Sequence, residues 1–109
     1  MRIHLIKKAS ILAYTKANAA SRKPFNEFLQ LIKQADWESI EDVKKTFGTA
    51  SIICEGKRIV FRIGGNNYRM ICSIIFGSKR ITLFVKFIGT HAEYDKINAA
   101  KKQCEVNNY

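Results

Sequence analysis

The sequence predicts a single α+β domain spanning residues 1–109, with N-terminal helices packed on one face of a small, mainly antiparallel sheet and a C-terminal helix closing the chain. Three observations predict it. Apolar residues recur at three- and four-residue spacing in the first half, and short runs rich in Ile, Val, Phe and Tyr follow after residue 57. Two clusters of turn-forming residues, each of hairpin length, divide the second half. With 47% apolar residues in 109, the chain can bury a core and fits one domain, which excludes disorder for most of it.

Taken in order, Arg2–Ile6 alternates polar and apolar residues and reads as an edge strand. Residues 7–19 are rich in Ala and Lys, with Ala9, Leu12, Ala13 and Ala17 at helical spacing. Ser21 offers an N-cap and Pro24 falls in the first turn of a second helix, whose stripe is Phe25, Phe28, Leu29 and Ile32. A short third helix starts after Ser39, with Asp42 three residues on as in a capping box, and stops at Gly48. Arg58–Ile63, Tyr68–Phe76 and Ile81–Ile88 are rich in Ile, Val, Phe and Tyr and predict a three-stranded meander. Thr90-His91-Ala92-Glu93 has the form of a capping box and opens a last helix through Tyr94, Ile97 and Ala100. The end, residues 105–109, reads as a loose tail.

Period-two alternation assigns the strand side chains to faces. One face holds Ile59, Phe61, Ile63, Met70, Cys72, Ile74, Leu83, Val85 and Phe87, all apolar. The other mixes Arg58, Arg62, Arg69 and Lys86 with Val60, Ile71 and Phe84, and is expected to be open and basic.

The formal charge of +10 concentrates the same way. Residues 57–90 carry seven cations and no carboxylate, and residues 1–34 carry seven cations and one carboxylate, while residues 35–56 are net acidic. Self-repulsion on so small a body points to an acidic partner, and a basic sheet face with aromatic neighbours suits nucleic-acid phosphates. The chain contains no apolar stretch of membrane-spanning length, and its opening residues lack the apolar core of a signal peptide, so a cytoplasmic protein without a membrane partner is expected. Cys54, Cys72 and Cys104 form no CxxC pair; free, partly buried thiols are expected rather than a disulfide framework or a zinc site.

Beside the basic strands, His91 and Tyr94 share one face of the last helix. RNA cleavage by the RNA's own 2′-hydroxyl needs a base, an acid and positive charge on the phosphorane, and this constellation could supply all three. Metal-dependent cleavage instead needs clustered carboxylates, which these strands lack. Asp95 reads as a helix-face carboxylate paired with a nearby cation, and His4 is isolated.

The motifs Phe61-Arg62-Ile63-Gly64-Gly65-Asn66-Asn67-Tyr68-Arg69 and Thr90-His91-Ala92-Glu93-Tyr94-Asp95 resemble those of the HigB toxins of bacterial type II toxin–antitoxin modules. The resemblance extends over nearly the whole chain. It implies a RelE-like fold and an mRNA interferase that cuts mRNA at the 70S ribosome without a metal or other cofactor, held inactive by a helix-turn-helix antitoxin of the HigA type. On this sequence the implied catalytic residues are Arg69, Lys86, His91 and Tyr94, with Lys57, Arg58, Arg62 and Asn66 on the RNA. Arg69, His91 and Tyr94 lie in the motifs, whereas Lys57, Arg58 and Lys86 rest on strand position. The remaining cations, Lys7, Lys8, Lys16, Arg22 and Lys23, read as contacts to ribosomal RNA. The alternative is a non-catalytic toxin or RNA-binding module of the same fold, such as a gyrase inhibitor.

Overall fold

The computed structural model describes residues 1–109. Strand β1 (Arg2–Ile6) leads into helix α1 (Lys8–Ala17), a 3₁₀ turn at Ala19–Ser21, helix α2 (Arg22–Gln34) and the short helix α3 (Ile40–Thr46). Strands β2 (Ser51–Ile53), β3 (Arg58–Ile63), β4 (Tyr68–Phe76) and β5 (Arg80–Thr90) follow, and helix α4 (His91–Ala99) comes last. The five strands form one sheet in the order β1-β5-β4-β3-β2; β1 pairs parallel to β5 and every other pairing is antiparallel. β1 is an edge strand, as its alternation predicts.

The helices form where predicted, with one difference at a cap. Ser21 is itself helical and donates its hydroxyl to the Asn18 carbonyl at 2.6 Å, so α2 continues from the 3₁₀ turn without a side-chain N-cap. Asp42, by contrast, accepts backbone N–H groups of Glu38 at 2.8 Å and Ser39 at 3.3 Å, completing the α3 capping box. The amphipathic stripe of α2 buries Phe25, Phe28 and Ile32 against the sheet. Phe61 on β3 is 1% exposed and meets Phe28 and Phe47 with ring centroids 5.0 and 5.1 Å apart; truncating such a buried ring costs about 3–5 kcal/mol. Trp37 fills the end of this layer, donating its indole N–H to Thr46 Oγ1 at 2.9 Å.

Face assignment departs from simple alternation in β5. Ile71 pairs with Phe87 but Cys72 pairs with Val85, so Lys86 is the extra residue of a β-bulge. Beyond it Ile88, not Phe87, joins the main core, and Phe87 crosses to the other face with Val60 and Ile71. The expectation of an open basic face is therefore corrected: Tyr94 and Ile97 of α4, with Val106, cover this second apolar patch. An exposed patch of three large apolar side chains is the reason, since burying each is worth about 1.5–3 kcal/mol.

Two more expectations are corrected at the C-terminal end. Residues 105–109, expected as a loose tail, are fastened: Arg58 donates to the carbonyls of Val106 at 2.7 Å and, just before the tail, Gln103 at 3.0 Å, Lys86 Nζ donates to Asn107 Oδ1 at 3.1 Å, and the Asn108 N–H donates to the Lys86 carbonyl at 2.9 Å. Nor are all three thiols free. Cys54, in the turn between β2 and β3, forms a disulfide with Cys104, and their Cα atoms are 5.8 Å apart. Fifty residues separate the two in sequence, and only the docking of α4 brings them together. Cys72 is free and fully buried, which raises its thiol far above the ordinary range. The turn holding Cys54 is strained: Cys54 and Glu55 have φ of 56° and 58°, a left-handed conformation that costs a non-glycine residue about 1–2 kcal/mol.

The Glu38 N–H bond, then Lys45 and the Ser39 N–H, hold the Asp42 carboxyl below its ordinary value of 3.8. Its contribution to stability is accordingly complete above pH 3.8 and lost as pH falls through the depressed native value. Urea unfolding between pH 5 and 2 is expected to show a steeper acid loss for the parent than for Asp42→Asn.

Candidate active site

The site forms where β3, β4 and β5 end side by side and α4 begins. Sheet register sets Arg62 opposite Arg69 and Arg69 opposite Gly89, one row beyond the Val60, Ile71 and Phe87 patch. α4 starts two residues after Gly89, fixed by a full capping box. Thr90 Oγ1 accepts the Glu93 N–H at 3.2 Å, and Glu93 Oε1 accepts the Thr90 N–H at 2.8 Å. The His91 N–H donates to the Asn67 carbonyl at 3.1 Å, tying the helix start to the β3–β4 turn. That turn carries Gly64 and Gly65 at φ of 65° and 66°, where the absence of a Cβ removes the penalty.

Arg69 is the centre of the cluster. It is 4% exposed, yet no carboxylate lies within ion-pair distance of it. Its guanidinium donates to two neutral oxygens, the Tyr68 carbonyl at 3.1 Å and Asn66 Oδ1 at 3.5 Å. Burial pulls its pKa down, neighbouring Arg62 adds to the pull, and Asp95 and Tyr94 oppose it. A desolvated cation facing a second cation is unfavourable in the empty protein and favourable once an anion sits between them.

His91 and Asp95 stand one helical turn apart, with His91 Nδ1 3.3 Å from Asp95 Oδ1 and both side chains about half exposed. This is the helix-face pairing that the four-residue spacing suggests, and it adds Asp95 to the cluster. Tyr94 is half-buried between this pair and the Val60–Ile71–Phe87 patch. Three strand ends and one helix turn therefore supply two guanidiniums, an imidazole, a phenol and a carboxylate around one exposed point.

The structure separates the expected site residues into two groups. Asn66, Arg62, Arg69, His91 and Tyr94 come together. Arg58 lies four residues from Arg62 along β3, roughly 13 Å away, and its guanidinium is held by the C-terminal segment. Lys86 also turns from Gly89, with Nζ 5.7 Å from the centre of the Phe84 ring and bonded to Asn107. Lys57 is exposed at the start of β3, while Lys7, Lys8, Lys16, Arg22 and Lys23 are exposed on and around the two N-terminal helices. No three His, Cys, Asp or Glu side chains converge as metal ligands, and no helix is long and apolar enough to cross a membrane.

An α+β scaffold carrying this site belongs to a class of small toxins. Residues 21–97 match the family model of the HigB toxin, described as the RelE-like toxic component of a toxin–antitoxin system. The chain is also 32% identical over 96 residues to the mRNA interferase HigB of Escherichia coli O6:H1, covering 87% of this chain and 91% of that protein. It belongs to the HigB toxin family.

Gly89 lets Phe87 and the α4 cap pack closely at this row. A Cβ there would lie 2.6 Å from Phe87 Cζ and 3.2 Å from Glu93 Oε1, so the Phe87 ring and the α4 cap both close over a residue without a side chain. Gly89→Ala is expected to lose about 1–3 kcal/mol in urea unfolding and to loosen the first turn of α4, read as faster amide exchange at Glu93.

Proposed function

We propose that this protein is a toxin acting as a ribosome-dependent mRNA endoribonuclease, with the RNA's own 2′-hydroxyl as nucleophile. The buried, carboxylate-free guanidinium of Arg69 carries the reading: it is a cation held ready for an anion, with Arg62 beside it and the imidazole and phenol of α4 adjoining. In this mechanism the scissile phosphate sits between Arg62 and Arg69, which neutralise the extra charge of the phosphorane. Asn66 orients Arg69. His91 and Tyr94 serve as the base for the 2′-hydroxyl and the acid for the 5′-oxygen, and Asp95 holds the imidazole by Nδ1 so that Nε2 faces the substrate. The likeness to an mRNA interferase supports cleavage over simple binding, and the gathering of acid, base and cations at one point favours it too.

The wider setting follows from the same reading. The exposed cations Lys7, Lys8, Lys16, Arg22 and Lys23 dock the toxin on ribosomal RNA in the cytoplasm, and a HigA-type helix-turn-helix antitoxin restrains it. Lys57, Arg58 and Lys86 extend the RNA-binding surface along the sheet.

Arg69→Ala and His91→Ala are each expected to restore growth of cells expressing the toxin, with cleavage lowered by about 10²–10⁴-fold for His91→Ala. Full toxicity in both folded variants would overturn the assignment. Mapping transcript 5′ ends after induction is expected to show cuts in translated messages alone; cuts in an untranslated message would remove the ribosome. Changing Lys16, Arg22 and Lys23 to Gln is expected to weaken ribosome binding and flatten its salt dependence, measured by co-sedimentation.

A further inference from the structure

We infer that residues 103–109 form a redox-controlled strap, which covers a second RNA-binding surface around Arg58 and Lys86 while Cys54 and Cys104 are joined and uncovers it when they are reduced. The inference rests on the proposed RNA-cleaving function for the identity of the ligand, and on the geometry for the switch.

The disulfide and the polar anchors of the strap lie beside Arg58 and Lys86, while Tyr109 at its end packs against the main core. The disulfide ties Cys104 to the turn before β3. Next to it, the Arg58 guanidinium is taken up by the carbonyls of Gln103 and Val106, two neutral oxygens of the strap itself. Lys86 is occupied in the same way by Asn107, and its carbonyl by the Asn108 N–H. Cys54, Glu55, Lys57, Arg58, Ser73 and Cys104 line one recess of about 430 Å³ beside the strap, with Glu55 its one carboxylate. Arg58 and Lys86 are thus two cations whose acceptors are supplied by the protein's own last residues.

Apart from the covalent bond and these hydrogen bonds, two side chains fasten the strap, Val106 on the Val60, Ile71 and Phe87 patch and the half-buried Tyr109 against the main core, whereas Cys104, Glu105, Asn107 and Asn108 are exposed. Phosphate oxygens bind guanidinium and ammonium groups more strongly than neutral carbonyl and amide oxygens do. At the other end of the bond, Cys54, Glu55 and Gly56 run through three consecutive left-handed conformations, a turn that relaxes once its tether is cut. The chemistry balances with a dithiol as reductant: the Sγ–Sγ bond breaks, two electrons and two protons yield two protein thiols, and the dithiol leaves as its cyclic disulfide. A thiol-rich compartment favours the open form, and a disulfide oxidant restores the closed one.

The test uses the full chain, oxidised or reduced with dithiothreitol, and a single-stranded RNA with 2′-O-methyl groups at every position so that binding is read without cleavage. Reduction is expected to accelerate amide exchange at residues 103–109 and to tighten RNA binding several-fold. It is also expected to steepen the salt dependence by about 0.7 for each additional phosphate neutralised, about 1.4 for Arg58 and Lys86 together. Cys104→Ser is expected to behave as the reduced chain with or without dithiothreitol, and Cys54→Ser serves equally if the first variant folds poorly. Arg58→Ala is expected to remove part of the tightening that reduction brings. Equal exchange at 103–109 in both redox states overturns the switch. Faster exchange with unchanged RNA affinity overturns the second surface. Neither readout depends on cleavage, so loss of the proposed catalytic function registers separately, in the Arg69 and His91 variants.

Discussion

The extra residue in β5 orients most of what matters in this molecule. In a regular ladder continued from the Cys72–Val85 pair, Ile88 would stand opposite Arg69 and Phe87 would enter the main core. The bulge at Lys86 shifts the pairing by one, so that Gly89 faces Arg69 and Phe87 joins Val60 and Ile71 on the other side. That patch is too apolar to face water and draws α4 down upon it. The docking of α4 in turn carries His91, Tyr94 and Asp95 to the row where Arg62 and Arg69 already lie. Packing and chemistry therefore have one cause, a local irregularity in one strand.

The same docking divides the cations of the sheet into two populations. Arg62 and Arg69 lie beyond the edge of the covered patch and face the helix N-terminus, with no carboxylate partner within ion-pair distance. Arg58 and Lys86 lie on its other side, where the chain end supplies neutral oxygens. Such oxygens satisfy a guanidinium without cancelling its charge, which keeps it attractive to phosphate. A carboxylate in either place would have neutralised the site from within, and the absence of acids between residues 57 and 90 ensures that no strand provides one. Most acids are used away from it: Asp36 and Glu38 bind the amino terminus and Asp42 and Glu93 cap helices, while Asp95, within the cluster, pairs with His91 and not with a guanidinium.

Much of the fold is legible in the chain because its signals are local. The two capping boxes, at Ser39 to Asp42 and Thr90 to Glu93, depend on three-residue spacings and form as the spacings indicate. The stripe of α2 and the meander follow from apolar periodicity, which needs no partner to be read. Arg69, His91 and Tyr94 are legible through motifs that join turn glycines to a strand cation and a helix start to its aromatic residue. Asp95 carried a signal as well, its four-residue spacing from His91.

What the sequence determined by itself was the inventory: an apolar sheet face, a helix with an imidazole and a phenol on one side, and a block of cations free of acids. What tertiary structure alone decided was which of those cations stand together. Alternation assumes an unbroken period of two, and one bulge inverts it; nothing in Val85-Lys86-Phe87 marks where the ladder will skip. The Cys54–Cys104 bond and the fastened chain end were equally hidden, because residues fifty apart in sequence meet only after α4 has chosen its face. Local pattern sets the elements, but long-range register and docking set the site, because they depend on the energy of surfaces that exist only once the sheet has formed.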